Sequence, residues 1–275
     1  MHHFPWLRNR TTEHRKAGKA RNTKENRRSK EFNTDLRLVE IPIVEIEHLS
    51  KNFAHIHALN DVNLEIPEGR IIGVLGPNGR GKTTLLKILA GLYGEYQGRV
   101  LIDGETPGAR TKAFVSYLPD KSGIPADMPV NRVIGIYRMF FEDFDEEKCR
   151  HLLKAFGIGE DQTPAEMSKG MIDKLQIALV LSRNARLYLL DEPIGGVDAL
   201  AREHVLNLIR ENFNPKGSML IVTHLVHDME RLFDSIIVLK EGKIERFADA
   251  DVLREEYSDT LEGALKEMIK YEEDE

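Results

Sequence analysis

The stretch RIIGVLGPNGRGKTTLLKILAGL, Arg70–Leu92, decides the fold. Its first seven residues form an almost unbroken apolar run, as in a strand buried on both faces. Its last eleven carry apolar residues at helical spacing. Between them, GPNGRGKTT fits the pattern G-x-x-x-x-G-K-[ST]. Gly76, Gly79 and Gly81 permit positive φ, so successive backbone N–H groups can turn toward one phosphate. The helix that follows adds the positive end of its dipole. Lys82 supplies a movable charge for the β- and γ-phosphates, and Thr83 a hydroxyl for Mg²⁺, which prefers oxygen ligands. The segment Gly76, Pro77, Asn78, Gly79, Arg80, Gly81, Lys82, Thr83 and Thr84 is therefore expected to hold a nucleotide. The chain has no guanine-reading N-K-x-D.

Outward from this loop the pattern alternates between strand and helix. IVEIEHL and VNLEI upstream, and GRVLIDG and AFVSYLP downstream, read as strands. From about Met128 to Glu166 the periodicity turns helical and carries several aromatics, as in an inserted helical subdomain. KGMIDKLQIALVLSR and DALAREHVLNLIREN read as helices, LYLLDEP and SMLIVTH as buried strands, and HDMERLF as a helix. DSIIVLKEGKIERF reads as a hairpin turning at Glu241–Gly242. This order implies an α/β fold with a mainly parallel sheet and helices on both faces. The expected division is a basic extension over 1–40 and a core over 41–250. The helical subdomain falls at about 122–184, and a short, acidic, helical tail at 251–275.

Composition narrows the class. The longest apolar runs fall far short of the ~20 residues of a membrane span. The one cysteine, Cys149, excludes an internal disulfide. Residues 1–38 hold 11 Lys/Arg against 4 Asp/Glu, a net of +7, and the remainder carries −13. The basic head lacks apolar periodicity and reads as disordered; it is either a solvated tail or a surface for nucleic acid, ribosome or anionic lipid.

LYLLDEP ends in Asp191 and Glu192 at the carboxyl end of a strand, where open α/β sheets place their chemistry. Asp191 can hold Mg²⁺, and Glu192 can act as general base on a water aimed at the γ-phosphate. Just upstream stands Met167-Ser168-Lys169-Gly170-Met171. With these ordered motifs the chain resembles the nucleotide-binding subunits of ABC transporters, from about Val44 to Gly242. The resemblance implies a P-loop NTPase core with an antiparallel β edge. It implies binding and hydrolysis of ATP with Mg²⁺, and coupling to a separate membrane permease, with bacterial exporters as the closest type.

The resemblance also assigns roles. Ser168 and Gly170 match a signature that binds the γ-phosphate held by the opposite subunit, while Lys169 and Met171 depart from it. Ser168 is equally an N-cap. Asp198 in GGVD matches an aspartate that couples the two sites of the dimer, and it too is an N-cap candidate. His224, at the end of SMLIVTH, matches a histidine that senses the γ-phosphate and joins Glu192 and Lys82 in catalysis. Phe53 stands where the family stacks an aromatic on adenine; the other reading is a core ring. Asp120 occupies the place of a glutamine that meets Mg²⁺ and the attacking water. Arg80 replaces a small residue and either faces the partner subunit or is solvated.

The implied partners are a permease and a second ATP-binding subunit, identical or paralogous, with no nucleic acid. The implied location is cytoplasmic, at the inner face of the cell membrane through the permease. The alternative is an ABC-type switch acting on ribosome or nucleic acid. Its usual two cassettes, coiled-coil or zinc insertions are missing from this sequence. A cassette that binds ATP without turning it over is a third reading, opposed by the intact Lys82, Thr83, Asp191, Glu192 and His224.

Overall fold

The computed structural model describes residues 42–257 and 260–270. The basic head expected over 1–40 lies outside these residues. Strand β3 (Ile71–Leu75) is buried along its whole length. It lies between β7 (Ser218–Val222) and β8 (Ser235–Lys240), parallel to both. The full six-stranded order is β5 (Val115–Leu118), β6 (Leu187–Asp191), β7, β3, β8, β9 (Lys243–Asp249). All neighbours are parallel except the β8–β9 hairpin, which turns at Glu241–Gly242. A second, antiparallel sheet orders β2 (Ile56–Pro67), β1 (Pro42–Phe53) and β4 (Gln97–Ile102).

The period of two along β3 divides the core. Ile72 and Val74 join Leu85, Leu86, Ile88 and Leu89 of α1 (Lys82–Leu89) and the antiparallel sheet in one apolar cluster. Ile71 and Leu75 face a second cluster, which holds the remaining larger helices. A strand walled on both faces must be apolar throughout, which is why RIIGVL carries no alternation.

The helical insert comprises α2 (Val130–Phe140) and α3 (Glu146–Ala155), packed with α4 (Lys169–Leu181). Asp145 caps α3 by accepting from the Lys148 N–H at 2.9 Å. The helical pattern in the sequence runs on to Phe144, but α2 stops at Phe140. Phe141 leaves the helix to place its ring 3.9 Å from the guanidinium of Arg183. Arg183 is 2% exposed. It also donates to Asp143 at 2.8 and 3.0 Å and to the carbonyls of Lys112, Ala113 and Val115. One buried cation thus ties the insert to the start of β5. HDMERLF forms only the single turn α6 (Val226–Met229), because Asp234 must pair with the backbone of Ile71 to start β8. Following α5 (Ala199–Asn212) and β9, the described chain closes with α7 (Ala250–Glu256) and α8 (Leu261–Lys270).

Candidate functional site: the nucleotide cleft

The loop between β3 and α1 turns on glycine. Gly76 has φ 140°, and a Cβ there would stand 1.9 Å from the Leu239 carbonyl oxygen. Gly81, at φ 100°, would meet the Ala58 carbonyl at 2.1 Å. Neither position admits a side chain. Lys82, the first residue of α1, is 7% exposed and donates from Nζ to the carbonyls of Gly76 at 2.7 Å and Pro77 at 2.9 Å. Burial lowers its pKa, while the carboxylates of Glu192 and Asp191 act to raise it. It stands between the loop and the acids.

Beneath the loop, Thr83 donates from Oγ1 to Asp191 Oδ1 at 3.2 Å. Asp191 is 1% exposed, and no described residue offers a hydrogen bond to its Oδ2. Burial pushes its pKa up; Thr83 opposes this, and the negative charges of Glu192 and Asp120 add to it. A buried, under-satisfied carboxylate among like charges is what a divalent cation would relieve. The donor set therefore fits Mg²⁺ held by Thr83 and Asp191. The described residues contain no cluster of three or more His, Cys, Asp or Glu able to hold a metal alone, so the remaining ligands would come with the phosphates.

Glu192 sits at φ 53°, a left-handed conformation that costs a non-glycine residue on the order of 1–2 kcal/mol. Its N–H donates to the Val222 carbonyl at 2.9 Å. Its Oε2 lies 2.9 Å from His224 Nδ1 and also accepts from the His224 backbone N–H at 3.3 Å. The His224 ring remains exposed. The turn after β6 thus aims a carboxylate at the imidazole carried at the end of β7.

Lys82, Thr83, Asp191 and Glu192 border a cleft of about 630 Å³, whereas Gly76, Pro77 and His224 are not among its lining residues; His224 reaches it only through Glu192. Phe53, Asn78, Gly79, Gly81, Lys82, Thr83, Thr84, Asp120, Asp191 and Glu192 all line it. Phe53 is 39% exposed, so it is no core ring. Its ring meets Tyr93 edge-on at 5.4 Å, and Lys51 Nζ stands 4.9 Å from its centre. Arg80 is half exposed and lies 4.0 Å from Glu241 at the β8–β9 turn; it is not among the cleft-lining residues. Sequence reasoning missed Ile56, Ala58, Lys87, Tyr117, Pro119, Lys121 and Val222, which also line the cleft. Of these Lys87 was within reach, lying one helical turn beyond Thr83. Tyr117 was hidden as one apolar residue of a strand. Burial, with Asp191 adding to it, raises its phenol pKa.

A family model for ABC transporters matches residues 59–195. The chain is 34% identical over 220 residues to the ABC transporter ATP-binding protein YtrB of Bacillus subtilis, covering 78% of this chain and 75% of that protein. It is 31% identical to the aliphatic sulfonates import ATP-binding protein SsuB of Zymomonas mobilis, covering 73% and 83%. The chain belongs to the ABC transporter ATP-binding proteins. As such it is an ATP-binding, ATP-hydrolysing transporter subunit. A solved structure described as an ATP-binding subunit of an ABC transporter superposes with a TM-score of 0.75 at 25% identity, over 83% of this chain and all of that one. No helix among the described residues is long and apolar enough to cross a membrane.

The cassette's remaining motifs lie away from its own cleft. Ser168 caps α4, accepting from the Met171 N–H at 3.2 Å, and Asp198 caps α5, accepting from Ala201 at 3.0 Å. Neither they nor Gly170 line the cleft. The two loops touch each other. Asp173 Oδ2 accepts from the Gly196 N–H at 2.7 Å, and a Cβ on Gly170 would stand 2.6 Å from the Gly196 carbonyl. Lys169 is accommodated because its stem crosses Gly196, where a Cβ would stand 2.6 Å from Lys169 Cγ. Beside the cleft runs an apolar groove of about 620 Å³, lined by residues that include Leu92, Gly123, Ile124, Met128, Ile136 and Tyr137.

Proposed function

We propose that the cleft binds ATP with Mg²⁺, with adenine on Phe53, the phosphates on the loop Gly76–Thr84, and the metal on Thr83 and Asp191. The observation that carries this is the convergence of Lys82, the Thr83–Asp191 pair and the Glu192–His224 pair at the ends of β3, β6 and β7. When bound, the metal neutralises charge that develops on the phosphate oxygens. Lys82 swings from the loop carbonyls to the β- and γ-phosphates. Glu192 takes the proton of the attacking water as its oxygen bonds to the γ-phosphorus. The bond to the β–γ bridging oxygen breaks, leaving ADP. His224 holds the Glu192 carboxylate and donates to the γ-phosphate.

Ser168, Gly170 and Asp198 act on the nucleotide of a second subunit, so two cassettes close on two ATP molecules. The exposed cap positions of Ser168 and Asp198 support this, since a helix N-terminus facing outward is a site for an anion brought by a partner. The helical segment 128–166, together with the Asp120 loop and the apolar groove between them, receives a segment of the permease, aided by the exposed Met139 and Phe140 of α2. That partnership places the subunit at the inner face of the membrane. Export is the direction suggested by the sequence resemblance, and ATP-driven accumulation in inverted vesicles decides it against import.

The test compares phosphate release by the parent and by Glu192→Gln, with size exclusion in the presence of ATP. The parent hydrolyses ATP, while the variant does not and elutes as an ATP-dependent dimer. Undiminished hydrolysis by the variant would remove Glu192 as base.

A further inference from the structure

Among the described residues, two buried side-chain polar atoms have no hydrogen-bond partner: Asp191 Oδ2 and the Tyr117 hydroxyl. They share a face of the sheet. Tyr117 on β5 pairs with Leu189 on β6, and Asp191 follows Leu189 by two residues, so both side chains project toward α1. Both residues line the nucleotide cleft. The ring of Tyr117 also forms part of the wall of the apolar groove. Phenylalanine would serve that wall equally well. The hydroxyl serves neither the groove nor the fold, and a buried hydroxyl without a partner is a net loss to the folded state.

The geometry points to a role for it in ligand binding: the Tyr117 hydroxyl donates a hydrogen bond to an oxygen of the metal–nucleotide complex, on the side that Asp191 Oδ2 also serves. The oxygen belongs either to a water on the metal or to a phosphate. Tyr117 is thus a further binding residue for the ATPase reaction. The inference rests on the reading of the cleft as a magnesium–ATP site.

The test is Tyr117→Phe with three readouts. Without ligand, the variant melts about 2–4 °C above the parent, because it loses an unpaired buried hydroxyl and nothing else. Mn²⁺ titrated in the presence of ATP and followed by electron paramagnetic resonance binds about three- to tenfold more weakly. ATP in EDTA then identifies the oxygen. Unchanged affinity there assigns a water on the metal, and a matching loss assigns a phosphate. Tyr188→Phe is the control. Its hydroxyl donates to the Arg183 carbonyl at 2.7 Å and accepts from the Ala185 N–H at 3.2 Å, so that variant melts lower. A lower melting temperature for Tyr117→Phe, or full affinity for both Mn²⁺–ATP and metal-free ATP, overturns the assignment. A parent that binds neither form of ATP overturns the reading of the cleft itself.

Discussion

Replacing Arg183 by Met tests how the helical insert is fastened to the nucleotide-binding core. The guanidinium makes two contacts with Asp143, three with the carbonyls of Lys112, Ala113 and Val115, and one with the face of Phe141. Methionine fills much of the volume but pairs with none of these groups. It leaves the Asp143 carboxylate, 19% exposed, without its counter-charge. Breaking a buried pair by removing one partner costs about 3–5 kcal/mol. Against a total stability of about 5–15 kcal/mol, that lowers the melting temperature by about 6–20 °C. Urea denaturation measures the loss directly. Asp143→Leu alone costs less, because three carbonyls still hold the arginine. The double variant recovers part of the Arg183→Met loss, since the stranded carboxylate is gone. Arg183 does not line the cleft, so ATP affinity at low temperature is retained. An Arg183→Met protein within 1 kcal/mol of the parent, or one showing no coupling to Asp143, would refute the argument that this one cation holds the two parts together.

Three further outcomes follow from the cleft. Lys51 is 9% exposed and lies against Phe53 without lining the cleft, so it positions the adenine-facing ring. Lys51→Met weakens ATP about three- to tenfold and Phe53→Ala about tenfold, while tripolyphosphate binds both as it binds the parent. Asp191, with its pKa raised in the fold, holds more protons native than unfolded between its ordinary value of 3.8 and the raised one. Its contribution to the stability of the ligand-free protein therefore falls as pH rises through that window. Asp191→Asn removes the effect, raises the neutral-pH melting temperature and abolishes Mg²⁺-dependent hydrolysis; a melting temperature below the parent's contradicts this. Asp120→Gln takes one negative charge from the cleft, tightens metal-free ATP binding and shifts the Mg²⁺ requirement; unchanged turnover and Mg²⁺ dependence remove Asp120 from the site.

The parts legible in the sequence are those whose signal is local. GPNGRGKT announces itself because a backbone cradle needs glycine at fixed intervals. LYLLDEP announces itself because a strand buried on both faces cannot carry acids except at its end. The β8–β9 turn at Glu241–Gly242 was visible for the same reason: the chain must take φ 48° and 78° there, and the second residue is glycine. Long periodic helices such as α4 and α5 were equally plain. The short α6 was not, since its end is set by Asp234 reaching back to Ile71, a contact that no window of sequence contains.

What stayed hidden shares one property: its chemistry arises only when separate segments meet. Arg183 reads as one more charge after a helix, yet it is buried among five backbone and side-chain partners from two other segments. Lys51 is an ordinary strand lysine until Phe53 and Tyr93 close over it. Tyr117 counts as an apolar strand residue, and only the pairing of β5 with β6 sets its hydroxyl on the face of Asp191. In each case the side chain is amphipathic. Its apolar body satisfies the local pattern and thereby masks the polar end, whose partner the local sequence does not name. A polar end retained on a Tyr, Lys or Arg inside an apolar run therefore marks a partner elsewhere in the fold or in the ligand.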